Sequence, residues 1–357
     1  MIKRFLVLSL VLFTLSGCEL HADLGDDQVV AGINFNTLFA PPTVSEINAV
    51  KIDWSSREYP AQNVAVEFEE AVQIGQKAGT LRIVSHRVGG VKHYGAIIAA
   101  TGLRSRQAPM LVYSHGGDSG VSIDNEVQLV LSFFADIAHD FVIIIPSFRD
   151  EKLTYKSTTW QSEGPASPWD RDVDDVLSLL NVVQTLELGA DPERVGVLGF
   201  SRGAGVGMLM AARSEKVDAV LDFFGPTDFF GSFVQDVSRE YLLGDPRNLP
   251  GLDFLGTEIL EPYRDGDITL EEIRLELIRR SPVLFADRIN RLQIHHGTAD
   301  AIVPVSQAES MIAAMQKAGK TAEQFQSFLY PGGDHNPLTL DGSLERAKAF
   351  MLELRDL

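Results

Sequence analysis

One serine, Ser201, stands in a sequence context that could make it a nucleophile. It lies in the pattern G-x-S-x-G between an apolar run predicted as a strand, Val195 to Leu198, and a small-residue run predicted as a helix, Ala204 to Ala212. A strand-to-helix turn this tight requires glycine on both sides of the serine, and it exposes the hydroxyl at a helix N-terminus, where amide dipoles favour negative charge. The pattern predicts acyl transfer through the Ser201 hydroxyl.

A serine nucleophile needs a base, and the base needs an acid to orient it. Asp300 follows an apolar run in the segment His-Gly-Thr-Ala-Asp, and His335 follows another in Tyr-Pro-Gly-Gly-Asp-His. We predict Asp300 as the orienting acid and His335 as the base. His295 and His296 are the other histidines after Ser201, and their position at a strand end favours a structural role.

A glycine pair follows another apolar run, in the segment Ser-His-Gly-Gly-Asp at residues 114–118. Bare amide groups at a strand end could face the nucleophile, so we predict an oxyanion hole formed by the N–H groups of Gly117 and Arg202. The alternative is an ordinary glycine turn. His115 is expected to pack and hydrogen-bond rather than to catalyse.

Composition and motifs exclude other chemistries. No histidine and carboxylate spacing such as H-E-x-x-H is present, and there is no glycine-rich phosphate loop, so we expect no metal and no cofactor. The chain carries 31 basic and 49 acidic residues, a formal net charge of −18, which would repel nucleic acid. We expect a small-molecule substrate, an ester or a short peptide.

The surrounding pattern predicts an α/β protein. Alternation near Val64 to Phe68, Leu81 to Arg87 and Val91 to Ala100 predicts antiparallel opening strands. After Ala108, short and largely apolar runs alternate with helical spacings, which is typical of a doubly wound, mostly parallel sheet. The runs are Met110 to Tyr113, Phe141 to Ile145, Val195 to Leu198, Ala219 to Phe224, Leu292 to Ile294 and Phe325 to Tyr330.

The connection between the strands near Phe224 and Leu292 is long enough for inserted helices, and a helical cap is expected over about 226–285. Thr269 and Glu272 form a predicted capping box within it. Four phenylalanines of this segment could line an apolar acyl pocket or form the core of the cap: Phe229, Phe230, Phe233 and Phe254.

From about residue 80 onward, the chain resembles the catalytic domain of the prolyl oligopeptidase family and its dienelactone-hydrolase-like relatives within the α/β-hydrolase superfamily. The resemblance rests on the segments already quoted around Ser201, Gly117, Asp300 and His335, together with Ser281-Pro282-Val283 and Val303-Pro304. It implies an α/β-hydrolase fold and the same Ser201, Asp300 and His335 set. The β-propeller of the family's peptidases has no room here, since only about 90 residues separate Cys18 from Tyr113.

The N-terminus resembles a bacterial lipoprotein signal. Lys3 and Arg4 precede an apolar run from Phe5 to Leu15, which is too short to span a bilayer, and Leu-Ser-Gly-Cys18 resembles a lipobox. Cys18 is the only cysteine and is the predicted lipidation site. The alternative is a plain secretory signal.

The predicted organisation is a signal peptide at residues 1–17, a tether and extension at 18–60 and a catalytic domain at 61–357. We expect an exported hydrolase held on the cell envelope, by preference on the outer membrane, that acts on carboxylic esters through an acyl-enzyme. A serine peptidase for short peptides is the second hypothesis. A noncatalytic binding lipoprotein is the third.

Overall fold

The computed structural model describes residues 28–251 and 253–356. Its strands are β1 Val29–Val30, β2 Ile33–Asn34, β3 Gln62–Ile74, β4 Lys77–Val88, β5 Val91–Ala100, β6 Ala108–Ser114, β7 Val121–Ser122, β8 Val142–Pro146, β9 Lys152–Tyr155, β10 Thr158–Gln161, β11 Ala190–Phe200, β12 Val217–Phe223, β13 Arg291–Gly297 and β14 Phe325–Tyr330. Its α-helices are α1 Phe35–Leu38, α2 Val44–Ser56, α3 Gln128–Phe133, α4 Asp170–Thr185, α5 Arg202–Arg213, α6 Ser232–Leu242, α7 Glu261–Asp265, α8 Leu270–Ile278, α9 Ser306–Lys317 and α10 Ser343–Asp356.

Short helical turns of other types complete the described secondary structure. Two are π-helical, at Ile123–Val127 and Leu255–Leu260, and three are 3₁₀, at Ala138–Asp140, Pro282–Arg288 and Pro337–Thr339. Within the described ranges, no helix is long and apolar enough to cross a bilayer. The proposed signal segment and Cys18 lie outside the described residues.

The central sheet has the strand order β14-β13-β12-β11-β6-β8-β5-β4-β3. Its pairs from β8 to β14 are parallel, and β3, β4 and β5 add antiparallel pairs at one edge. This confirms the predicted doubly wound, mostly parallel sheet with antiparallel opening strands. Strands β6, β8 and β12 are buried on both faces, which explains why their sequences are mostly apolar instead of alternating.

Helices cover both faces of the sheet, and the sheet divides the core into two layers. Helices α4, α5 and α9 contribute to the core on one face, and α10 contributes to the core on the other. Apolar residues at helical spacing along α4, such as Val173, Val176 and Val183, are fully buried. Because β6, β11, β12, β13 and β14 are parallel, their carboxyl ends meet at one edge, where the loops that follow them converge.

The chain between β12 and β13 folds as helices α6, α7 and α8 together with the π-helical turn Leu255–Leu260 and the 3₁₀ turn Pro282–Arg288. The Thr269 side chain accepts from the Glu272 N–H and the Glu272 carboxylate accepts from the Thr269 N–H, which is the predicted capping box. Helix α2, for which the sequence analysis identified no pattern, begins at a second capping box made by Thr43 and Glu46. It buries Val50 and Trp54 and is tied to α8 by the Arg274–Glu46 ion pair.

Candidate active site

Ser201 occupies the turn between β11 and α5 with φ 52° and ψ −122°, a strained conformation for a residue with a side chain. Two glycines make the turn possible. A Cβ at Gly199 would lie 2.5 Å from the Ala204 Cα, and one at Gly203 would lie 2.0 Å from the Ser114 carbonyl oxygen. The Ser201 N–H donates to the Phe223 carbonyl at 2.9 Å, which fixes the turn to the neighbouring strand.

The loop after β6 lies directly beside Ser201. A Cβ at Gly116 would lie 3.1 Å from the Ser201 Cβ, and Gly117, at φ 73°, lines the same cavity as the serine. The Gly116 carbonyl lies 3.0 Å from the buried His115 Nδ1. In a planar trans peptide, an N–H points opposite to the carbonyl of the preceding residue. The Gly117 N–H is therefore directed away from the Gly116 carbonyl and from His115.

The second predicted oxyanion donor, the Arg202 N–H, belongs to the first residue of α5. The first N–H groups of a helix have no partner within it, and Ser201 precedes this helix as its N-terminal boundary residue. Gly117 and Arg202 both line the cavity that contains Ser201, as an oxyanion hole formed by their N–H groups requires.

The predicted acid and base are joined by a hydrogen bond. His335 Nδ1 lies 2.8 Å from Asp300 Oδ2, and Asp300 Oδ1 accepts the N–H groups of Ile302 and Val303, each at 2.9 Å. Burial alone would raise the pKa of Asp300, but the His335 hydrogen bond and the two backbone donors lower it on balance. Since an ionised carboxylate only accepts, His335 Nδ1 carries the proton and Nε2 is left as the basic nitrogen.

Backbone contacts hold the acid loop after β13 and the histidine loop after β14 against each other. Thr298 donates to the Tyr330 carbonyl and Ala299 to the Gly333 carbonyl, both at 2.9 Å. A Cβ at Gly297 would lie 2.2 Å from the Gly333 oxygen, so the loops require glycine where they cross. The separation of Asp300 and His335 is thereby set by backbone rather than by the side chains alone.

The remaining histidines near the site have structural partners, as predicted. His295 contacts the Tyr330 hydroxyl at 2.7 Å and Gln293 at 2.8 Å, and His296 Nε2 contacts the Val303 carbonyl at 2.8 Å. His115 is fully buried and packs on the Phe148 ring with centroids 4.5 Å apart. Burial lowers the pKa of His115 to about 4, which keeps its ring neutral.

The Arg202 side chain has a role that the sequence analysis missed. Its guanidinium is buried and forms a two-point ion pair with Asp172, at 2.9 Å for each hydrogen bond, and another pair with Glu151 at 2.5 Å. It also donates to the Gly117 carbonyl at 3.1 Å. The side chain of Arg202 therefore holds the loop that carries Gly117, while its backbone N–H lies next to Ser201 at the start of α5. Four aspartates within the first six residues of α4 were the available signal.

Ser201 and His335 open into a cavity of about 520 Å³. One wall, which we call the cap wall, consists of buried apolar side chains that belong to the core layer under α4 and α5: Trp169, Phe229, Phe233, Val234 and Leu249. The opposite wall, which we call the sheet wall, contains Glu126, Phe200 and Phe224. Phe200 and Phe224 pack with the other core layer.

Two of the four phenylalanines proposed for an acyl pocket line this cavity, and two do not. Phe229 and Phe233 belong to the cap wall. Phe230 instead packs against Phe39 and lies under the Arg274 guanidinium, while Phe254 lies under the Arg280 guanidinium. The prediction was wrong for Phe230, because the turn before α6 points it and its neighbour Phe229 in different directions, and for Phe254, which lies after α6 and packs under Arg280 instead.

In the described part of the chain, no group of three or more histidine, cysteine or acidic side chains is arranged to hold a metal ion. Tyr113 donates its hydroxyl to Glu126 at 2.5 Å.

Comparisons with solved structures identify the fold. Acetyl xylan esterase 1 from a Thermoanaerobacterium species superposes with a TM-score of 0.57 at 18% identity, over 87% of this chain and 92% of that one. An acetyl xylan esterase from a Paenibacillus species gives 0.59 at 15% identity, over 90% and 98%. The acylaminoacyl peptidase of Pyrococcus horikoshii gives 0.54 at 18% identity, over 77% of this chain but 41% of that one.

No protein-family model and no curated protein sequence matches the chain. The structural likeness extends along most of the chain, and it agrees with the sheet order, the strained serine turn and the acid and histidine loops. The chain therefore has the α/β-hydrolase fold.

Proposed function

We propose that this protein is a serine hydrolase that cleaves carboxylic esters through an acyl-enzyme at Ser201. The hydrogen bond between His335 and a firmly held Asp300 carries the proposal, because it leaves a basic imidazole nitrogen in the cavity that also contains the strained serine. The structural histidines His115, His295 and His296 are fully buried, whereas the His335 side chain keeps 20% of its surface exposed.

The reaction follows from this geometry. The Ser201 oxygen attacks the substrate carbonyl carbon while His335 Nε2 takes the hydroxyl proton. The resulting oxyanion accepts from the Gly117 and Arg202 N–H groups, and His335 returns the proton to the departing oxygen of the alcohol. A water molecule then attacks the acyl-enzyme with His335 again as base, which releases the acid and restores the Ser201 hydroxyl.

The cavity favours an ester over a peptide. The cap wall is apolar, and among the described lining residues the one carboxylate, Glu126, lies on the opposite wall. A peptide bound with its acyl side against the cap wall would have no carboxylate there to pair with its amino group. Both acetyl xylan esterases are matched over more than nine-tenths of their length, which supports an esterase.

A peptidase for short peptides is the second candidate, and the likeness to the acylaminoacyl peptidase favours it. The same nucleophile, base and oxyanion donors serve amides. Amide hydrolysis differs in needing full protonation of a poor leaving group, and therefore a more closely positioned substrate.

The test is hydrolysis of a p-nitrophenyl ester series beside aminoacyl and prolyl p-nitroanilides by protein that begins at residue 19, with Ser201→Ala as the matched variant. We expect turnover of the esters that the substitution abolishes. Turnover of the anilides alone would establish the peptidase. Failure of both series, with tight binding of an ester, would favour the noncatalytic binding protein.

We also propose that the mature protein is exported and anchored to the bacterial envelope through lipid on Cys18. The basic start, the short apolar run and the single cysteine support this. Several acyl chains would hold the protein on a membrane despite its negative charge. We expect Cys18→Ala to move the protein from the membrane fraction to the soluble fraction; an unchanged distribution would contradict the anchor.

A further inference from the structure

The active-site cavity contains one carboxylate that the proposed reaction does not use. Glu126 lines the cavity from the π-helical turn Ile123–Val127, and its Oε1 accepts the Tyr113 hydroxyl at 2.5 Å. The turn is anchored by the fully buried Val127 and the nearly buried Ile123. A carboxylate can accept about four hydrogen bonds, so Glu126 retains capacity for a bound molecule.

Glu126 and the apolar cap wall contact different parts of a substrate. Tyr113, which holds Glu126, packs against Phe200 with ring centroids 5.9 Å apart, and Phe200 lies 6.1 Å from Phe224. Phe200 and Phe224 line the sheet wall with Glu126, and they pack with a different core layer from Phe229 and Phe233. A substrate bound across Ser201 therefore places one part against each wall.

The position of the base assigns the two parts. His335 must deliver a proton to the leaving alcohol, so the alcohol lies beside the imidazole. The His335 ring packs on Phe224, a sheet-wall residue, with centroids 4.2 Å apart. The leaving alcohol is thus directed to the sheet wall and Glu126, and the acyl group to the cap wall.

We propose that Glu126 binds a hydroxyl group on the leaving alcohol and so selects esters of polyols or sugars over esters of simple alcohols. The inference rests on the proposed ester hydrolysis. Burial raises the pKa of Glu126, while the Tyr113 hydrogen bond lowers it less strongly. A hydroxyl both donates and accepts, so it can pair with either protonation state, whereas a cationic group requires the ionised form.

The test compares three esters of one acid that differ only in the alcohol: propyl, 3-hydroxypropyl and 3-(trimethylammonio)propyl. For the native protein, we expect kcat/KM to be about tenfold higher for the hydroxypropyl ester than for the propyl ester, the size expected for a hydrogen bond to a charged group. In Glu126→Leu the ratio should approach one. Glu126→Gln keeps an acceptor for Tyr113 and should give an intermediate ratio. This variant serves as the test if Glu126→Leu does not fold.

Asp124→Asn is the matched control, since it removes a carboxylate from the same turn that does not line the cavity. Its ratio should equal that of the native protein. Equal ratios in the native protein and both Glu126 variants would overturn the proposal, as would a Glu126-dependent preference for the trimethylammonio ester. If one of these two results is found while the native protein still hydrolyses p-nitrophenyl esters through Ser201, only this inference fails. If the native protein hydrolyses no ester, the proposed function fails and the inference fails with it.

Discussion

Asp300→Asn should abolish nearly all activity although it changes the shape of the side chain little. The two backbone N–H groups of Ile302 and Val303 both point at Oδ1. An asparagine that keeps them must place its oxygen there, which turns its NH₂ group toward His335 Nδ1. Two donors cannot face each other, so the imidazole must carry its proton on Nε2, where it can no longer accept the Ser201 proton.

The expected loss follows from that tautomer. Placing the histidine in the wrong tautomer by the same substitution in a serine triad lowers kcat by about 10⁴-fold, or roughly 5 kcal/mol of transition-state stabilisation. Folding should be largely retained, because the two backbone hydrogen bonds to Oδ1 remain. The small cost is the replacement of one charge-assisted hydrogen bond by a neutral contact.

The assay is kcat/KM for p-nitrophenyl acetate, with thermal unfolding measured on the same preparations. Asp334→Asn is the control, since Asp334 is exposed, adjoins His335 in sequence and bonds to Thr339 instead. We expect the control to retain native activity. An Asp300→Asn variant that is folded and keeps more than about a tenth of native activity would refute the tautomer reasoning.

Three further predictions concern packing, pH and specificity. Gly203→Ala should destabilise the fold by about 3 kcal/mol or more in urea unfolding, because its Cβ would lie 2.0 Å from a backbone oxygen of β6. Gly207→Ala on the same helix should cost less, since its near neighbours are side-chain carbons; equal costs would contradict this account. Burial raises the pKa of Asp222 from 3.8 to about 7, so its contribution to stability is full below pH 3.8 and is lost as the pH rises through 7. Asp222→Asn should therefore gain in melting temperature relative to the native protein between pH 5 and pH 8, and a pH-independent difference would show the prediction wrong. Phe233→Ala should raise kcat/KM for p-nitrophenyl octanoate relative to butyrate by about tenfold, because the space left by the ring would bury about two of the four extra methylenes of the octanoyl chain. Phe230→Ala should not change this ratio, since Phe230 does not line the cavity.

The strands and the candidate triad could be predicted because each leaves a local signal. Parallel strands buried on both faces are apolar throughout, and the loops after their carboxyl ends must converge at one edge of the sheet. Ser201 directly follows β11, while Asp300 comes three residues after β13 and His335 five residues after β14. Their order along the chain, with the glycine spacing around the serine, was enough to place them together.

Other features of the site depend on contacts that no local pattern reports. Arg202 and Glu126 are charged residues whose partners come from separate elements, Asp172 on α4 and Tyr113 on β6. Phe230 differs from its neighbour Phe229 only in the direction of its side chain. Helix α2 is different, because its Thr-x-x-Glu capping box was visible in the sequence and was overlooked.

Covalent labelling with a fluorophosphonate tests most directly the claim that Ser201 is a nucleophile activated by His335. We expect intact-mass spectrometry to show one adduct per chain, peptide mapping to place it on Ser201, and His335→Ala to slow the labelling by several orders of magnitude. An adduct on another residue, or ester hydrolysis that proceeds undiminished in Ser201→Ala, would contradict the account.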